Sequence, residues 1–235
     1  MGFLINNDLI WISIPKCAST SIHDALESST LDIKKHSDYS KWPQKHLHIP
    51  LNSLNREFGI KETICIKRDW FDRWLSGLET LWLAIEQRKQ IPIIKWEELD
   101  NDFLYKTFNT EFINNLHSIE NIELCNFSII KNYKLKTNDL ISGLASMLFS
   151  QNFYKKNQNC TYEFDITELD KFKEFINNRY NVDIKLPHIN PKDILREGIG
   201  SIKTKSKSKI IINKELKDWV WNSFEKPYQK GINLI

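Results

Sequence analysis

The sequence predicts an α/β fold in a single domain, residues 1–235, built on a mostly parallel central sheet flanked by helices. Three observations carry that expectation. A β-rich run followed by a loop and a helical pattern occurs twice in the N-terminal part of the chain. The 235 residues, 41% of them hydrophobic, are enough for one substantial core and would crowd a second. No stretch approaches the roughly 18 uninterrupted apolar residues of a membrane span.

The elements follow in order. Leu9 to Ile14 reads as a strand that ends at Pro15, and a Ser/Thr cluster then leads into a helix through Leu26. Ile60 to Ile66 is the second strand. From Phe71 to about Arg88, Trp74, Leu75, Leu78, Leu81, Trp82 and Ile85 recur at helical spacing. Phe103, Leu104, Phe108, Phe112, Ile113 and Leu116 predict a helix over Asp102 to Leu116, and Ile122 to Ile130 a third strand. Further helices are expected from Thr137 or Asn138 toward Phe149, and from Thr167, where Asp170 stands in the acidic place of a capping box. Gly198 to Lys209 is a basic stretch, and Asn213 opens a last helix with Leu216, Trp219, Val220 and Phe224 on one face. Three strands are legible, fewer than such a sheet needs.

The charge balance, 33 basic against 30 acidic residues, argues against nucleic acid as a partner. Cys17, Cys65, Cys125 and Cys160 form no C-x-x-C pair, which disfavours a zinc ribbon or a disulfide framework and predicts reduced, mostly buried thiols. The N-terminal MGFLINNDLIWISIP has no secretory pattern, and Asn6 stands where a myristoylation signal wants Ser or Thr. A soluble, cytoplasmic protein without membrane insertion is expected.

In open parallel sheets, ligands bind beyond the carboxyl ends of the strands, so the two strand-to-helix loops are the places for a site. The first, Pro15-Lys16-Cys17-Ala18-Ser19-Thr20-Ser21, brings a lysine and three hydroxyls to a helix N-terminus, whose unpaired N–H groups attract anions. It is not a Walker A loop, because Lys16 precedes the turn and no glycine is present. Its ordinary reading is a Ser19 or Thr20 helix cap beside an exposed lysine. The second loop, in KRDWFDRWLSG, places Arg68 at a strand end and Ser76 in the first turns of the next helix. Arginine offers a planar fork to phosphate oxygens and serine a directed donor. Arg73 reads as the structural partner of an acid, Asp69 or another. Between the loops, His46 and His48 share one face of an extended segment, a half-site for metal at most, since no further ligands accompany them.

Together these segments resemble the PAPS-dependent sulfotransferases (PAPS is 3'-phosphoadenosine 5'-phosphosulfate), especially the carbohydrate-type branch. The first loop is similar to the P-K-T-G-G-T-S of the 5'-phosphosulfate loop, with Lys16, Thr20 and Ser21 matching and Cys17, Ala18 and Ser19 departing from Thr-Gly-Gly. Arg68, Asp69, Arg73 and Ser76 match R-[DN]-P-x-x-R-x-x-S, with Trp70 in place of proline. The His-x-His lies in the interval where heparan and dermatan 2-O-sulfotransferases carry one whose second histidine is the base. Weaker likenesses are Ile129 to Tyr133 to a strand ending R-Y-E-D-L, and Leu186 to Asn190 to a late L-P-H-x-N-x-S.

The resemblance implies a P-loop-like sulfotransferase fold that binds PAPS as co-substrate without a metal. It implies that Lys16 and His48 are catalytic, with Lys16, Cys17, Ala18, Ser19, Thr20, Ser21, Arg68 and Ser76 holding the nucleotide. The acceptor is a hydroxyl compound, a saccharide by the branch resembled. The aromatic residues, Trp42, Trp82 and Trp96 among them, do not separate saccharide from lipid, tyrosine or small alcohol. Lys203, Lys205, Lys207 and Lys209 read as a solvated loop or as a flap over the nucleotide. The competing readings are an Mg²⁺-dependent nucleotide kinase or other phosphoryl transferase, and a nucleotide-binding module without catalysis.

Overall fold

The computed structural model describes residues 2–37, 48–87, 95–110, 113–114, 146–156, 158–186 and 208–229. In chain order the strands are β1 (Gly2–Ile5), β2 (Leu9–Ile12), β3 (Ile33–Lys35), β4 (Glu62–Lys67) and β5 (Tyr162–Asp165). The α-helices are α1 (Ser19–Glu27), α2 (Leu51–Phe58), α3 (Trp70–Gln87), α4 (Asn101–Thr107), α5 (Gln151–Lys155), α6 (Leu169–Tyr180) and α7 (Lys214–Val220). A π-helical turn, Trp221–Glu225, continues α7. The chain forms two compact units: Met1–Asp69 with Gln151–Pro191, and Trp70–Ser150 with Lys192–Ile235.

The first unit holds a five-stranded mixed sheet of order β3-β1-β2-β4-β5. β1 pairs antiparallel with both β2 and β3, whereas β2, β4 and β5 run parallel, with Ile12 opposite Cys65 and Ile66 opposite Phe164. The sheet is α/β as expected but only half parallel, because Asn6–Asp8 closes a tight hairpin that turns β1 back beside β2. β2 is buried on both faces, the mark of a central strand.

Side chains alternate across the pleat, so each face can be traced through the register. On one face Phe3 and Trp11 stand opposite each other, Phe3 meets His23 of α1 edge-on, and Phe172 of α6 packs on Trp11 and Phe164. On the other, Leu54 of α2 lies so close to Gly2 that an added Cβ would sit 2.8 Å from its methyl. Helices therefore flank both faces. At the N-terminal ends of β2 and β4, Arg179 of α6 binds Asp8 at 2.7 Å and Glu62 at 2.6 Å.

The second unit is helical around an aromatic cluster in which Trp74 of α3 meets Trp219 and Phe224, and Tyr105 of α4 stacks edge-on to Trp219. Gly77 lets α3 approach the 3₁₀ turn Ser146–Leu148, since a Cβ there would stand 2.5 Å from the Met147 carbonyl oxygen. Trp82 and Trp96 are 2% and 5% exposed and belong to this core, so they do not offer an open stacking wall.

Several boundaries differ from expectation. β4 starts two residues later than read, leaving Ile60 90% exposed, because Gly59 at positive φ closes α2 just before it. α4 ends at Thr107 and the expected helix to Leu116 is interrupted at Phe108 and Asn109; Thr110, Ile113 and Asn114 are helical again, and 111–112 and 115–116 lie outside the described residues. The expected helix from Thr167 is a 3₁₀ turn, Ile166–Glu168, leading into α6 at Leu169, and the capping box sits on that turn as Asp165 with Glu168, two residues before the Thr167–Asp170 pair. The expected strand Ile122–Ile130, most of the expected helix before Phe149, Ile129–Tyr133, Pro187–Asn190, Trp42, His46, Cys125, Lys203, Lys205 and Lys207 lie outside the described residues. Among the described residues no helix is long and apolar enough to cross a membrane.

Candidate active site

β2 and β4 are parallel neighbours, so the loops that leave their C-terminal ends emerge side by side. The first loop turns at Pro15–Ala18 with the Cys17 amide donating to the Ile14 carbonyl at 3.3 Å. Lys16 (φ 64) and Ala18 (φ 55, ψ 16) are both left-handed, a conformation that non-glycine residues adopt at a cost. Ala18 is the N-cap of α1, no side chain caps that end, and the first turn carries no acid. Ser19, Thr20 and Ser21 thus occupy the first three helical positions and are not the cap. The ordinary reading of them as capping hydroxyls is set aside. What remains is a helix start with its positive dipole end and no acid in its own first turn.

Arg68 is the first residue past β4, and its Nη1 reaches to 3.5 Å of the Lys16 carbonyl oxygen. Its backbone is held by Gln151 of α5, whose Nε2 donates to the Arg68 carbonyl at 2.7 Å and whose Oε1 accepts from the Arg68 amide at 3.1 Å. The same Oε1 lies 3.7 Å from the Cys17 thiol, which donates to it.

His48 is 6% exposed and anchored at the end of β2. Its Nδ1 is 2.9 Å from the Ser13 carbonyl and 3.2 Å from the Ser13 hydroxyl. A carbonyl can only accept, so Nδ1 is the donor in this contact and Nε2 is the basic nitrogen of the neutral ring. Tyr154, one helical turn from Gln151 on α5, packs edge-on against the imidazole, ring centres 6.1 Å apart. One short helix therefore touches both loops and the histidine.

Lys16, Cys17, Ala18, Ser19, Thr20, Ser21, Arg68 and His48 all belong to the first unit. Ser76 lies on α3 in the second, half-buried, its carbonyl accepting from the Thr80 hydroxyl at 2.9 Å. Arg73, also on α3, is fully buried; it binds Glu225 at 3.4 Å and the Met147 carbonyl at 3.0 Å, and Glu225 accepts from Ser150 at 2.5 Å. Its acid is Glu225, a partner no local spacing could indicate.

Cys17, Cys65 and Cys160 are buried thiols outside any disulfide. Cys65, Cys160 and Glu163 bring possible metal-ligating atoms within 4.8 Å of one another. Sequence spacing could not show this, because the two thiols meet only through the pairing of β4 with β5. The Lys155 ammonium sits 2.8 Å from the Glu163 carboxylate and already neutralises it. Although burial pulls the other way, Glu163 raises the Lys155 pKa and Lys155 lowers that of Glu163. A thiol–thiol hydrogen bond with Cys160, together with burial, pushes Cys65 well above its ordinary value, so it stays protonated.

Comparison with protein-family models, with curated proteins and with solved structures found no match to this chain.

Proposed function

We propose that this chain is a PAPS-dependent sulfotransferase that moves a sulfuryl group to a hydroxyl acceptor, a saccharide by the resemblance of its loops. The observation that carries this reading is the meeting of Arg68 with the Lys16 loop, 3.5 Å apart, beside a helix N-terminus with no side-chain cap. A cation on each of two adjacent loops suits a nucleotide with two separate phosphate groups. The lysine ahead of the turn and the lack of loop glycines argue against a nucleoside triphosphate cradle.

In this reading, His48 takes the acceptor hydroxyl proton on Nε2, with Nδ1 held by Ser13. The hydroxyl oxygen bonds to sulfur as the bond between sulfur and the bridging phosphate oxygen breaks. The electron pair of that bond leaves with adenosine 3',5'-bisphosphate. Lys16 and the first N–H groups of α1 stabilise the charge that gathers on the bridging oxygen. A transferred sulfuryl carries less charge than a terminal phosphoryl, so no metal clamp is called for.

The test is calorimetric titration with adenosine 3',5'-bisphosphate and with ATP, in chelator, on the wild type and Arg68→Ala. Tight bisphosphate binding that Arg68→Ala weakens by about a hundredfold, a loss in the range for a hydrogen bond to a charged group, supports the reading. Equal ATP binding, or no binding of either, overturns it.

A further inference from the structure

We infer that Gln151 is a positioning residue that holds the two phosphate loops in register; the inference rests on the sulfotransferase reading and extends it to a residue outside both loop motifs. β4 ends at Lys67, and one residue later the Arg68 backbone has passed beyond the strand pairing. Gln151 supplies both missing bonds with one amide, donating to the Arg68 carbonyl at 2.7 Å and accepting from its N–H at 3.1 Å. This reciprocal pair imitates a strand neighbour and fixes the Arg68 backbone, and with it the direction in which the guanidinium leaves the chain. The same Oε1 takes the Cys17 thiol at 3.7 Å, so the residue after Lys16 hangs on the same side chain. Arg68 and Cys17 lie 83 and 134 positions away from Gln151, and its amide brings them to one point.

No other residue type repeats these bonds in place. Asparagine is one methylene short. Glutamate keeps the acceptor, loses the donor to the Arg68 carbonyl and sets a negative charge beside an anion site. Gln151 touches neither reacting atom in this mechanism, so its effect is on where Arg68 and the Lys16 loop stand relative to each other.

The experiment measures bisphosphate affinity for the wild type, Gln151→Ala, Gln151→Glu and Arg68→Ala, and for Arg68→Ala combined with Gln151→Ala, alongside thermal melts. Gln151→Ala is expected to weaken binding by about ten- to hundredfold, the scale of a small misplacement, and Gln151→Glu by more. Arg68→Ala is expected to cost much less when Gln151→Ala is already present, because the guanidinium is then no longer aimed. A purely structural glutamine would lower the melting temperature yet leave the effect of Arg68→Ala the same in both backgrounds, and that result overturns the inference while the sulfotransferase reading stands. If the wild type binds no bisphosphate, the reading falls and the positioning role falls with it. Gln151→Met, similar in volume without the amide, carries the same cycle if Gln151→Ala does not fold.

Discussion

Ala18 shows how a loop can keep a shape after losing the residue that makes that shape easy. It stands where the resembled motif has its first glycine, and its backbone is left-handed all the same. A Cβ in that region costs about 1–2 kcal/mol, offset in part by the smaller unfolded-chain freedom of alanine, worth roughly 0.5–1 kcal/mol. Ala18→Gly is therefore expected to stabilise the protein by about 0.5–1 kcal/mol, read as a higher urea midpoint at unchanged m-value. A lower midpoint would show that the alanine methyl contributes packing that outweighs the strain. The lysine, the hydroxyls, Arg68 and His48 could be singled out from the sequence because each carries chemistry that a solvated loop does not require. Gln151 could not, since a glutamine opening a five-residue helix has no distinguishing spacing.

At the scale of elements, the long amphipathic helix α3 was legible nearly to the residue, and the short edge pieces were not. β1 with four residues and β3 with three are too brief for period-two alternation to register, and α5 is too short for a helical stripe. The capping pair ahead of α6 was placed two residues too far along the chain because hydroxyl and acid recur in DITELD and only geometry selects the pair. Asp165 accepts from the Thr167 amide at 2.9 Å, while Glu168 reaches back to the Asp165 amide at 3.1 Å. Asp165→Ala removes one arm of this box and is expected to cost about 1 kcal/mol in chemical denaturation. Thr167→Ala, although at the residue first read as the cap, is expected to cost less, since it loses only the hydroxyl that donates to Asp165 at 2.8 Å and keeps the backbone amide that Asp165 holds.

For the molecule as a whole, the strongest commitments join residues distant in sequence. Arg73 is fully buried with Glu225, 152 positions away, and Ser150 completes the carboxylate. Glu225→Ala leaves a buried guanidinium without its anion and is expected to destabilise by about 3–5 kcal/mol in urea unfolding, whereas Arg73→Met with Glu225→Leu recovers most of that loss. Failure of the double replacement to recover stability would mean that the hydrogen bonds to Met147 and Ser150, and not the charge pair, dominate there. The pair also explains why Arg73, within the same motif as Arg68 and Ser76, has no part in the proposed nucleotide site.

The α/β class, the order of the two strand-loop-helix passages and the charged residues in their loops were determined by the sequence itself, because local periodicity and residue chemistry are properties of neighbours along the chain. The antiparallel β1 and β3, the closeness of Arg68 to the Lys16 loop, the Nδ1 anchor of His48 on Ser13 and the amide of Gln151 were decided only in three dimensions. Each depends on strand pairing or on backbone groups left over at a strand end, and which distant side chain satisfies such a group is settled by packing, not by spacing.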